Sequence, residues 1–129
     1  MALRRFESWD YEQALSLWYD KIKHNGTLAG LGKQVGNYNA FYRTLIALMC
    51  HIPIPKLYAY KILSGIFDLV LAFFAAKLAW VATGKQSRRS FVLTFGIVFL
   101  SPVVVLNSGA WAQCDSMWAS MCLATLFSC

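Results

Sequence analysis

Hydrophobic and polar positions change character near residue 56, from short mixed segments to long apolar runs. Ser8 is placed to cap a helix whose Tyr11, Ala14, Leu15, Trp18 and Ile22 recur at helical spacing. Asp10, Gln13, Asp20 and Lys21 fall mostly on its other sides. Asn25-Gly26 ends it, because glycine takes a positive φ without steric cost. Such an amphipathic helix, carrying Trp9 and Trp18, suits a bilayer surface. Residues 26–37 read as a loop. Gly30-Leu-Gly32-Lys-Gln-Val-Gly36 fits neither dinucleotide-binding nor P-loop spacing, and no strand precedes it.

Asn39 is the cap of a second predicted helix over 40–52, with Phe41, Leu45, Leu48, Met49 and Ile52 on one stripe and Arg43 elsewhere. Pro53 and Pro55 end it. A reach of ~20 Å falls short of a ~30 Å hydrocarbon core, so this helix is expected to be juxtamembrane. Residues 57–84 are long enough to span, with Tyr58 and Tyr60 at one interface and Trp80 at the other. After a tight turn at 85–89, residues 90–107 form a second span in which Pro102 is expected to introduce a kink. A last apolar stretch from Met117 is too short to cross, so the chain reads as the front of a longer one.

Composition strengthens the membrane reading. The chain is 58% hydrophobic and only 14% charged, against about a quarter charged in soluble domains. A globule of 129 residues cannot hide that much apolar surface. The expected fold is therefore all-α and integral to the membrane. It has two full transmembrane helices, a partial third, and two N-terminal amphipathic juxtamembrane helices. Residues 1–56 form an extracytoplasmic loop region and residues 57–129 a single incomplete membrane domain.

The net charge of +6 does not point to nucleic acid, since seven of twelve cations precede Leu57 and are interleaved with Glu7, Asp10, Glu12 and Asp20. Lys85, Arg88 and Arg89 form the one tight basic cluster, between two apolar runs, which marks a cytoplasmic loop. The 107–115 loop has no cation and belongs on the opposite face, with Asp115 and both N-terminal helices. Cys50, Cys114, Cys122 and Cys129 form neither a disulfide framework nor a zinc pattern and are expected to be buried thiols.

The polar groups Asp10, Asn37, Tyr38, Asn39, Arg43, Asn107, Gln113 and Asp115 gather near the predicted outer interface. Asp115 also suits a cap for the helix that follows it. Asp68 stands mid-span, where a carboxylate costs ~2.5–3.5 kcal/mol and needs a partner or a polar cavity. Lys61 lies about two turns earlier on nearly the same face. A structural pair or a bond to a neighbouring helix, and a polar wall beneath a substrate cavity, both remain open. His24 and His51 sit beside helix ends as ordinary interface residues, and no zinc or GxSxG motif occurs.

Four segments in order carry a family resemblance: Phe6-Glu-Ser-Trp-Asp10-Tyr-Glu with Trp18, Gly36-Asn-Tyr-Asn39-Ala-Phe-Tyr42, Lys61-Ile-Leu-Ser-Gly-Ile-Phe-Asp68-Leu, and Ser101-Pro followed by Asn107-Ser-Gly-Ala-Trp111-Ala-Gln113-Cys-Asp115-Ser. They resemble the front of GT-C-type polytopic membrane glycosyltransferases, in the bacterial mannosyltransferase branch related to the GPI mannosyltransferases. Ala112 stands where the family usually has glycine, and Ala40 where it has proline.

The resemblance implies transfer of a sugar, mannose in that branch, from a polyprenyl-phosphate donor on the extracytoplasmic face, with Asp10 as catalytic base. It implies a bacterial cytoplasmic membrane rather than an endoplasmic reticulum. The partners are the bilayer, the lipid-linked donor and the remainder of a polytopic chain, without which this part is expected to be inactive. Arg43 is a candidate for the donor phosphate because a guanidinium fork suits it. Tyr38, Asn39, Gln113 and Asp115 are candidates for substrate binding, and Lys61 and Asp68 are the membrane-embedded polar pair. No metal site is expected from the sequence, and a divalent-metal requirement stays open. A non-catalytic membrane protein that binds a partner by helix packing, and a channel or transporter fragment, are the competing readings.

Overall fold

A computed structural model describes residues 5–36, 39–84, 87–113 and 115–126. Tyr38, Asn37, Lys85, Cys114 and Cys129 lie outside them. The described chain is all-helical, with no strand among these residues.

Ser8 caps the first helix as expected, its Oγ accepting the Tyr11 N–H at 3.2 Å. A π-helical turn, Tyr11–Leu15, runs into α1, Ser16–His24. Gly26 closes the helix with φ 88°. Tyr11, Leu15 and Ile22 are buried on the predicted face, with Ala14 and Trp18 partly so. Tyr19 is buried as well. Tyr19 stands eight residues after Tyr11 and four after Leu15, so it extends the same helical face.

A 3-10 turn, Thr27–Gly30, leads to α2, Ala40–Met49, where Asn39 Oδ1 accepts the Tyr42 N–H at 2.9 Å. The stripe predicted for α2 packs only in part, through Met49 and Leu45. Tyr42, Ile46, Ala47 and Met49 are buried, while Phe41, Leu48 and Ile52 are about half exposed. This helix is apolar around most of its circumference, so spacing alone admits two faces, and packing against α1 selects the Tyr42 face.

Helix α3, Lys56–Ala82, is the axis of the molecule and packs against α4 (Arg88–Phe99), α5 (Pro102–Gly109) and α6 (Asp115–Thr125). At 27 residues it is ~40 Å long. It is long and apolar enough to cross a membrane, and only 22% of its most apolar stretch is buried within the chain, unlike the core helix of a soluble globule. Helices α4 and α5 together meet the same test, with a 45° bend between them. Pro102 opens α5 at this break, where the kink was expected. Ala72 and Ala76 are fully buried on α3, small enough for neighbouring helices to approach closely.

The tightest packing lies where α3 begins. Tyr60 is fully buried, donates its hydroxyl to the Leu15 carbonyl at 2.9 Å, and meets Tyr11 and Tyr19 edge to face at 6.2 and 6.3 Å. Lys61 Nζ reaches the Phe6 carbonyl at 2.8 Å, and Lys56 pairs with Asp20 at 2.7 Å. The N-terminal helices are thus held at this end of α3. Arg88 and Arg89 lie at the other end, where α4 begins.

Lys61 and Asp68 have different partners. Asp68, 5% exposed, accepts a hydrogen bond from Ser108 Oγ of α5. The carboxylate therefore links two helices. Cys50 is partly buried, but Cys122 is exposed, against the expectation of a buried thiol. Helix α6 buries Ser116, Met117 and Ser120, and two residues beyond Ser120 is about half a turn away.

Candidate functional site

The cap on Ser8 also fixes where the first helix sits. While its oxygen accepts from Tyr11, the Ser8 hydroxyl donates to the Trp111 carbonyl at 3.2 Å, joining positions 103 residues apart. Two residues further along each segment, Gln113 Nε2 donates to Asp10 Oδ2 at 2.7 Å. Asp10 and Gln113 line a cleft of about 220 Å³ with Ala14, Leu15 and Trp18. The residues that form the helix's inward face therefore also form the wall of the cleft.

Helix α5 ends at Gly109, and the chain turns back through Ala112, whose φ of 56° lies in the left-handed region. Side chains with a Cβ adopt that region at a cost of ~1–2 kcal/mol. Ala112 is fully buried, so the surrounding packing holds the turn. The turn lets the Gln113 N–H bond to the Asn107 carbonyl at 3.2 Å. Asn107 Nδ2 in turn lies 3.4 Å from Asp115 Oδ2. Asp10, Gln113, Asn107 and Asp115 thus form one polar chain of contacts at the end of α3 that carries the N-terminal helices. Asp115 does not line the cleft. It sits exposed in the first turn of α6, where a carboxylate is favoured by the helix dipole.

Two of the other candidates have structural roles. Asn39 caps α2. Arg43 Nη1 donates to the Lys33 carbonyl at 3.0 Å, its Nε is buried with no acceptor among the described residues, and it is not in the cleft wall. A second cleft of about 440 Å³ brings Arg5 and Lys56 together with Glu7, Tyr11 and Tyr58. These cations were not singled out by the sequence, because their approach depends on docking the N-terminal segment on α3. Burial, then the charges of Glu7 and Asp20 and the Tyr19 phenol, push the Tyr11 phenol up to about 12. Burial likewise raises Cys50. Among the described residues no three His, Cys, Asp or Glu side chains converge as a metal set.

Gly36 braces the cleft from behind. Its φ is 68°, and a Cβ there would stand 2.4 Å from the Trp18 ring. Gly36→Ala is expected to push Trp18 into the Asp10 cleft and destabilise the protein by at least ~1–2 kcal/mol from the backbone alone. A thermal melt in detergent, with Trp emission as a second readout, checks this; unchanged melting and emission would contradict the packing described.

No family model, curated protein or solved structure matches the chain.

Proposed function

We propose that this chain is the front part of a membrane glycosyltransferase, with α3 and the bent α4–α5 pair spanning a bacterial cytoplasmic membrane and the Asp10 cleft on the extracytoplasmic face. The observation that carries the reading is the 2.7 Å bond from Gln113 to Asp10 in a cleft at the end of the long apolar helix. It brings together two of the segments on which the family resemblance rests. Ala112 adds a second point of support: its left-handed backbone is what a glycine at the family's usual position would accommodate.

In the proposed reaction Asp10 takes the proton of an acceptor hydroxyl. The acceptor oxygen attacks the anomeric carbon of the sugar, mannose on the resemblance, and the bond from that carbon to the phosphate oxygen breaks. Polyprenyl phosphate leaves with the bonding pair. Gln113 is the positioning residue: it holds Oδ2 and leaves the other carboxylate oxygen to the acceptor. Asp115 and Asn107 extend the polar rim, and Arg5, in the second cleft, offers a guanidinium for the donor phosphate.

The alternative, a small membrane protein that binds a partner by helix packing with Asp68 as interhelical glue, differs in whether Asp10 and Asp115 share a cavity. Asp115 is outside the Asp10 cleft and, among the described residues, joins it only through Asn107 and Gln113. The test is transfer of labelled mannose from polyprenyl-phosphate mannose, by the protein together with the remainder of its polytopic chain, comparing wild type with Asp10→Asn. Equal rates would contradict the proposal.

A further inference from the structure

At the end of α3 remote from the Asp10 cleft, α3 and α4 enclose a groove of about 410 Å³. Its wall is Phe73, Lys77 and Trp80 from α3 and Arg88, Phe91 and Val92 from α4. Phe73 and Phe91 meet edge to face at 6.0 Å, which ties the two helices together along it. A shallow apolar patch on the first turns of α4, formed by Arg88, Arg89, Val92 and Leu93, adjoins it through Arg88 and Val92. The groove and the patch therefore share a cationic corner.

Charge and depth say what fits there. From residue 69 to residue 114 the sequence contains Lys77, Lys85, Arg88 and Arg89 and no acid. An occupant with a negative head is favoured at the corner. Phe73 lies nine residues before the end of α3, ~14 Å down the axis, so the aromatic wall reaches well below the level of the arginines. The stem of Lys77 can lie along apolar surface while its ammonium rises to the polar level. A cationic corner above an apolar groove matches the chemistry of an anionic phospholipid. We propose that this groove binds such a lipid from the leaflet at the basic end, its phosphate at the Arg88 corner and an acyl chain along the Phe73 and Phe91 wall. The inference rests on the bilayer reading of α3 and α4 and does not depend on sugar transfer.

Basic residues at a membrane surface attract anionic lipid without any site, so the test must separate a groove from a diffuse field. The full chain is released from mixed phosphatidylglycerol and phosphatidylcholine nanodiscs with identical acyl chains, and retained lipid is counted by native mass spectrometry. Wild type is expected to retain phosphatidylglycerol preferentially. Arg88→Gln should lower that preference about fivefold, the effect of one cation near the surface. Val92→Trp puts bulk into the groove wall while leaving every charge in place, and should also weaken retention. Loss of preference in Arg88→Gln with full retention in Val92→Trp would overturn the site in favour of diffuse attraction. Equal retention of the two lipids by a carbonate-resistant wild-type protein would overturn the site alone, and extraction of the wild type by carbonate would overturn the bilayer reading with it. Displacement of the lipid by free glycerol phosphate would show that the groove contributes nothing and would equally overturn the proposal.

Discussion

Alanine in place of Tyr60 is expected to detach the N-terminal helix from α3. The phenol is fully buried, its ring touches Tyr11 and Tyr19, and its hydroxyl bonds to the Leu15 carbonyl across 45 residues. Truncating a buried aromatic side chain to alanine costs ~3–5 kcal/mol. The remaining ties to α3, Lys61 on Phe6 and the exposed Lys56–Asp20 pair, are worth much less. Limited proteolysis in detergent should therefore cut near 25–36 in Tyr60→Ala under conditions that spare the wild type. Tyr60→Phe keeps the ring and loses one hydrogen bond, about 1 kcal/mol, and should remain resistant. Equal protection of all three proteins would contradict the described core.

Asp10→Asn is expected to lower sugar transfer by ~10²–10⁴, the usual contribution of a positioned general base. The substitution is nearly isosteric, and an asparagine side-chain oxygen can still accept from Gln113, so the cleft keeps its shape. An amide cannot take up the acceptor proton. The loss should appear in kcat with KM little changed, the pattern of an interaction made only in the transition state. Membrane levels of the variant should match wild type, and a melt should show the same stability. A fall in protein level in proportion to activity would assign Asp10 a structural role instead.

How much of this was legible in the sequence follows from which signals are local. The caps at Ser8 and Asn39, the stop at Gly26 and the break at Pro102 depend on a few neighbouring residues, and each appears where the chain pattern placed it. The face of α2 was misread in part because Phe41 and Leu48 are as apolar as Ile46. Tyr19 was missed although it stands eight residues after Tyr11, an ordinary helical core spacing. For Asp68 the chain pattern offered Lys61 on the same helix or a neighbouring helix; it is the latter, but Ser108 lies 40 residues away and could not be named before α5 packed on α3. The Asp10–Gln113 contact spans 103 residues, and no spacing rule connects them. Both residues could be named from the sequence, but their pairing comes from the Ser8–Trp111 bond that sets one segment against the other.

If α3 and the bent α4–α5 pair cross a bilayer as proposed, the Asp10 cleft and the arginines of α4 lie on opposite sides of it. Single cysteines at Glu12 and at Arg89, in a protein with its native cysteines replaced by serine, test it with a membrane-impermeant thiol reagent on spheroplasts. The account predicts labelling at Glu12 in intact spheroplasts and at Arg89 only after the membrane is permeabilised. Labelling of both positions without permeabilisation, or recovery of the protein in the soluble fraction, would contradict it.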